Sequence, residues 1–98
     1  MSGLDPVIHA ETRLRIMSAL AVLGQGDMVA FTALRKMLDL TVGNLSVHLT
    51  KLEAAGYIAI NKTFEGRKPA TYIRLTANGR AAFEQYLNDL KTLLGEGT

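Results

Sequence analysis

Leucines recur at Leu45, Leu49 and Leu52 within residues 41–58, TVGNLSVHLTKLEAAGYI, a spacing that predicts a helix with one buried face. Gly56 supplies the left-handed residue on which helices often end. Earlier in the chain, Ile16, Met17, Leu20 and Leu23 line one side of a helix whose start is set by Asp5-Pro6, an N-cap followed by proline. Leu14, Ala21 and Val22 lie off that stripe and give this helix a second apolar side. Gly24-Gln25-Gly26-Asp27 ends it, Met28-Val29-Ala30 reads as a short extended piece, and Thr32 caps a short helix carrying Leu34, Met37 and Leu38. Asp39-Leu40-Thr41 is long enough only for a tight turn, and Asp39 tolerates the left-handed geometry such a turn needs.

After Gly56 the period changes to two. Ile58 and Ile60 alternate with Ala59 and Asn61, and Lys62-Thr63-Phe64 prolongs the strand to a polar turn over 65–69. Thr71–Leu75 returns as its partner, and Thr76 caps a last helix over 76–94 with an apolar arc of Phe83, Tyr86, Leu87, Leu90, Leu93 and Leu94. The predicted fold class is mainly α with a small β-hairpin, in the order α-β-α-α-β-β-α, within one domain over 1–98. Two helices separated by a turn this short form a helix-turn-helix, whose second helix, here 42–55, is the element that enters a DNA major groove.

The polar side of that second helix is unusual. A face meeting only water is best built from strong helix formers such as Glu, Lys, Gln and Ala. This one carries Gly43, Asn44, Ser46, Val47, Thr50 and Lys51. Small side chains let a backbone sink toward a groove floor, and Asn, Ser and Thr bond base edges or phosphates. Asn44 is the best base reader, because Asn bonds adenine in two places, and Val47 either meets a thymine methyl or is simply exposed. Ser46, Thr50 and Lys51 suit the positioning of the DNA backbone, and Thr41 begins the same surface. The competing reading is a solvated face on which Gly43 and Asn44 merely serve the turn.

Charge changes the picture once it is divided by region. The chain carries a net +2, but residues 33–80 hold a local balance of +5 and the two ends together −3. A polyanion partner for the middle of the chain follows from that asymmetry. Composition excludes more than it selects. With no cysteine and only His9 and His48, disulfides and thiolate metal sites are ruled out and no cofactor is expected. No apolar run approaches the roughly 20 residues of a membrane span, and MSGLDPVIH lacks the features of a secretory signal, so a cytoplasmic protein is expected. No nucleophile–base pair or phosphate loop is visible, which argues against an enzyme.

Three stretches, ETRLRIMSAL, LTVGNLSVHLTKLEAAGYI and FEGRKPATYIRLTANGR, together span most of the chain and resemble the winged-helix domains of the MarR and ArsR transcription regulators, especially their short single-domain members. The resemblance implies a winged helix-turn-helix that binds double-stranded DNA as a homodimer. Many relatives carry Gly at the turn where this chain has Asp39. Metal sensing of the arsenic type would need cysteines or clustered histidines, which this chain lacks. The hairpin turn over 65–69 becomes the wing, where Arg67 and Lys68 suit a phosphate ridge or a narrow minor groove, unless they serve solubility alone. His48 lies at the margin of the leucine face, as a packed structural histidine or, as relatives imply, near the DNA backbone. Arg13 falls amid apolar positions and reads as structural, bonded to backbone carbonyls or a carboxylate. Arg15 faces solvent, and Arg35 and Lys36 are exposed basic residues within reach of phosphates.

The apolar surface of the terminal helices exceeds what one small core needs. Leu14, Val22, Phe83, Tyr86, Leu87, Leu90, Leu93 and Leu94 are therefore expected at a homodimer interface, which suits a palindromic operator with half-sites about 34–36 Å apart. Two alternatives stay open: a winged helix used for protein–protein contact, and a regulator with a small-molecule pocket for an unknown effector.

Overall fold

A computed structural model of the chain describes residues 3–95. The elements run α1 (Glu11–Ala21), β1 (Met28–Ala30), α2 (Phe31–Leu38), α3 (Val42–Ala54), β2 (Ile58–Glu65), β3 (Lys68–Leu75) and α4 (Ala77–Leu93). This is the order the periodicity predicts. β1 is more than an extended connector, because it pairs antiparallel with β3 and completes a three-stranded sheet of order β1-β3-β2.

The helix ends follow local chemistry, with two departures from expectation. The Asp5 cap is real but closes a single turn: its Oδ1 accepts from Val7 N at 2.8 Å, and extended Ala10 (φ −147°) separates that turn from α1. α2 starts at Phe31, directly from β1, with Ala30 rather than Thr32 at its N-cap position. Ladder pairing carries the chain to Ala30, opposite Tyr72, and leaves no room for a capping residue beyond it. Asp39 takes the left-handed conformation (φ 54°) in the turn, and Thr41 Oγ1 caps α3 by accepting from Asn44 N at 3.1 Å. α3 closes with Gly56 at φ +80°, Tyr57 N bonding Leu52 O at 3.0 Å.

Leu45, Leu49 and Leu52 of α3 are wholly buried against Ile16, Met17 and Leu20 of α1, Leu34 of α2, and Ile58 and Ile73 of the sheet. Three arginines tie the helices together through the carbonyls that helix C-termini leave unpaired. Arg15 donates to Leu38 O at 2.6 Å, Arg35 to Leu40 O at 3.2 Å, and Arg80 to Ala21 O and Leu23 O at 3.3 and 3.2 Å. Arg15 thus has a partner within the chain although it lies at the surface.

α4 supplies a correction. Phe83 and Tyr86 belong to the chain's own core, at 7% and 1% exposure, with the Tyr86 hydroxyl 2.8 Å from His9 Nδ1. They present no surface to a second protomer. Leu14 and Leu90 are half-buried against the same core, so they too lie mostly inside. A wide apolar arc has two uses here: its inner half covers the core, and Leu87, Leu93 and Leu94 remain exposed on α4, as Val22 does beyond α1.

α4 crosses the end of α3 closely. Thr76 Oγ1 donates to Gly56 O and accepts from Gly79 N, and a β-carbon at Gly79 would overlap the Tyr57 carbonyl. Tyr57 also donates to Asp5 Oδ2, and that bond, ahead of burial, pushes its phenol up to about 12. Gly79→Ala is expected to destabilise the fold by about 3 kcal/mol, read as a lower urea midpoint. Gly43→Ala, which meets only open space on α3, should instead be neutral or stabilising by up to about 1 kcal/mol.

Candidate nucleic-acid interface

Burial of one side of α3 dictates what the other side offers. Thr41, Gly43, Asn44, Ser46, Val47, Thr50 and Lys51 are all exposed, Val47 at 55%, and they form one continuous surface. Two of the hydroxyls already serve the backbone. Thr41 is the helix cap, and Thr50 Oγ1 donates to Ser46 O at 3.0 Å, which leaves lone-pair capacity but fixes the rotamer. Asn44 makes no side-chain hydrogen bond among the described residues, so its amide is free for an outside partner.

His48 departs from the rest of the surface. It is half-buried, and its Nδ1 lies 3.1 Å from an Arg13 guanidinium nitrogen. Arg13 is itself held by Val7 O at 2.5 Å and Pro6 O at 3.4 Å, the carbonyl anchoring expected of it. A guanidinium only donates, so Nδ1 must accept and the imidazole is neutral with its proton on Nε2. Burial is the main cause holding the His48 pKa below 6.5, followed by the nearby charges of Arg13 and Lys51.

β2 and β3 place the remaining cations. Their connection is two residues, Gly66-Arg67, with Gly66 at φ +66°, a tighter turn than the 65–69 expected because Glu65 and Lys68 remain paired across the ladder. Pairing of Ile58 with Leu75, Ile60 with Ile73, Lys62 with Thr71 and Phe64 with Pro69 puts these residues on one face. Lys68 lies on the opposite face, across from Glu65, which accepts the Tyr72 hydroxyl. Arg67 sits at the tip between the two faces.

Ser46, Leu49 and Thr50 of α3 meet Ile60, Lys62 and Thr71 of the hairpin across a cleft of about 320 Å³, closed at its back by Phe31. Lys62 was not singled out from the sequence. Its signal is parity: it shares the face of Ile58 and Ile60, so it must follow them toward α3. Lys62 is the cation that lines the cleft, while Lys51 lies on α3 toward His48 and Arg67 lies in the hairpin turn. Arg35 and Arg80, which contributed to the regional charge, are engaged with backbone carbonyls instead. Among the described residues no cluster of side chains could hold a metal ion, and no helix is long and apolar enough to cross a membrane.

A family model described as a winged helix DNA-binding domain matches residues 12–94. The chain belongs to that family. The matched residues span α1 to α4, including the helix-turn-helix of α2 and α3 and the β2–β3 hairpin of the winged-helix fold. The winged-helix chain is 32% identical over 87 residues to an uncharacterized protein of Methanocaldococcus jannaschii, covering 89% of this chain and 91% of that protein. It is also similar to the structure of a transcriptional regulator homologue from Pyrococcus horikoshii, at 30% identity and a TM-score of 0.81, covering 91% of this chain and 85% of that one. FabT of Streptococcus pneumoniae, solved in complex with DNA, shares the fold at 22% identity and a TM-score of 0.59, over 92% of this chain and 64% of its own.

The His48 environment gives a pH signature. Between its lowered pKa and 6.5 the unfolded chain binds more protons than the folded one, so this contribution to stability is present above pH 6.5 and is lost as pH falls. An imidazole NMR titration of the winged helix is expected to show a His48 midpoint below 6.5. Arg13→Met should raise that midpoint without restoring it fully, because burial is the larger cause.

Proposed function

We propose that this winged-helix chain is a transcriptional regulator that inserts α3 into the major groove of double-stranded DNA and lays its wing on the minor groove or adjacent backbone. The observation that carries the reading is the pairing of two facts about α3. Its leucine side is wholly buried, and its exposed side is mostly small and polar and meets Lys62 across an open cleft. Asn44 and Val47 read bases, while Thr41, Gly43, Ser46, Thr50 and Lys51 let the backbone approach and hold phosphates. His48, with Nε2–H as its free donor, reaches a phosphate at the edge of the surface. Arg67 leads at the wing tip, and Lys68 meets the flanking strand.

The chain acts as one domain over 1–98, a homodimer assembled through residues 76–94 and the end of α1. Support comes from the exposed Val22, Leu87, Leu93 and Leu94, whose burial in a dimer is worth roughly 1.5–3 kcal/mol per large side chain. Two-fold symmetry then calls for a palindromic operator. The role involves no catalysis or cofactor, and its setting is the cytoplasm. The likeness to FabT, which was solved in complex with DNA, agrees with a duplex partner.

Selection of bound sequences from a random duplex pool supplies the operator, and anisotropy with that duplex supplies the energetics. Log affinity is expected to fall linearly with log salt, by about 0.9 per phosphate contacted, and Arg67→Ala should flatten the slope by about that amount. Asn44→Ala should leave the slope unchanged but reduce discrimination against the wrong base by about 1–3 kcal/mol. Absence of binding to any duplex at low salt contradicts the reading.

A further inference from the structure

Phe64 plays no part in the fold or in the contacts proposed above, yet it is a large aromatic at 70% exposure. Strand register gives it a direction. It shares its face with Ile60 and Lys62, which line the cleft with Ser46 and Thr50, so the ring projects from the same side that α3 presents. Pro69 is its cross-strand partner, and Gly66-Arg67 follows immediately at the tip. That face of the hairpin, from Ile58 to Phe64 and from Pro69 to Leu75, carries no carboxylate, and Glu65 lies on the opposite face with Tyr72. The result is an apolar ring on a proline, flanked by Lys62 and Arg67 and continuous with the recognition surface.

We propose that Phe64, backed by Pro69, is an apolar wedge that enters the minor groove with the wing tip and packs on sugars and base edges, while Lys62 and Arg67 hold the flanking phosphates. Phenylalanine and proline are among the side chains that proteins insert between base steps, and the narrow A·T groove attracts the arginine beside them. The wedge favours flexible A·T-rich steps that α3 does not touch. It rests on the DNA-binding reading above and adds a shape-dependent contact to it. Charge complementarity selects nucleic acid as the occupant: the cations beside the ring suit a polyanion.

The test uses the full chain and two labelled duplexes of 30 base pairs, one alternating dA–dT and one alternating dG–dC, with anisotropy read at several salt concentrations. Phe64→Ala is expected to weaken binding to the dA–dT duplex by about tenfold with an unchanged salt slope, because the ring neutralises no phosphate. The dG–dC duplex should be affected less, and Phe64→Leu should keep most of the affinity. Netropsin, which fills the A·T minor groove, should abolish the difference between wild type and Phe64→Ala. An unchanged thermal midpoint is expected, since the ring is exposed. If wild type binds and Phe64→Ala binds equally well, the wedge is overturned and the DNA reading stands. A difference that survives netropsin, or a change of mass in light scattering, also overturns it, the latter by assigning Phe64 to contact between protein copies. If wild type binds neither duplex, the DNA reading falls and the wedge falls with it.

Discussion

The burial of Leu45, Leu49 and Leu52 is the constraint on which the rest of this molecule depends. Those side chains join the core contributions of α1, α2 and the sheet, and truncation of any one is expected to cost about 2–5 kcal/mol. Because they fix the rotation of α3 about its own axis, Gly43, Asn44, Val47 and Thr50 have no choice but to face outward. The exposed polar surface of α3 is thus oriented by the core. The same burial sets the distance to the hairpin, since Ile58 and Ile73 pack in the cluster that receives the leucines.

The cations sort into two populations with different work. Arg15, Arg35 and Arg80 donate to carbonyls at or beyond helix C-termini, where the backbone's negative end and unpaired acceptors favour a guanidinium. Arg13 anchors the N-terminal turn to α1 and fixes His48 as a neutral acceptor at Nδ1. Lys36, Lys51, Lys62, Arg67, Lys68 and Lys91 are left on the outside. Regional charge therefore agrees with a DNA-binding fold while overstating how many charges face outward.

What could be read from sequence was whatever rests on local chemistry. The leucine spacing of α3, the cap at Thr76, the left-handed Asp39 and the strand alternation after Gly56 all appear as expected, and the cap at Thr41 adds to them. Other features needed the third dimension. Asp5 has good capping chemistry, but only the structure shows extended Ala10 separating its turn from α1. Phe83 and Tyr86 look like interface residues on a helical projection, because periodicity cannot tell a chain's own core from a partner's. Strand parity with Ile58 and Ile60 sets the face of Lys62, but only the register across the hairpin and the placement of α3 put Lys62 in the cleft and Lys68 on the opposite face.

In the proposed binding mode the exposed side of α3 and the cleft side of the wing together form the surface that meets DNA. It is tested most directly by following backbone and side-chain NMR shifts as a mixed-sequence duplex is added at low salt. The largest changes are expected at Gly43, Asn44, Val47 and Thr50 and from Lys62 to Arg67, with Val22, Leu93 and Leu94 unmoved. Changes centred on α4 and the end of α1, with α3 and the wing silent, would contradict it.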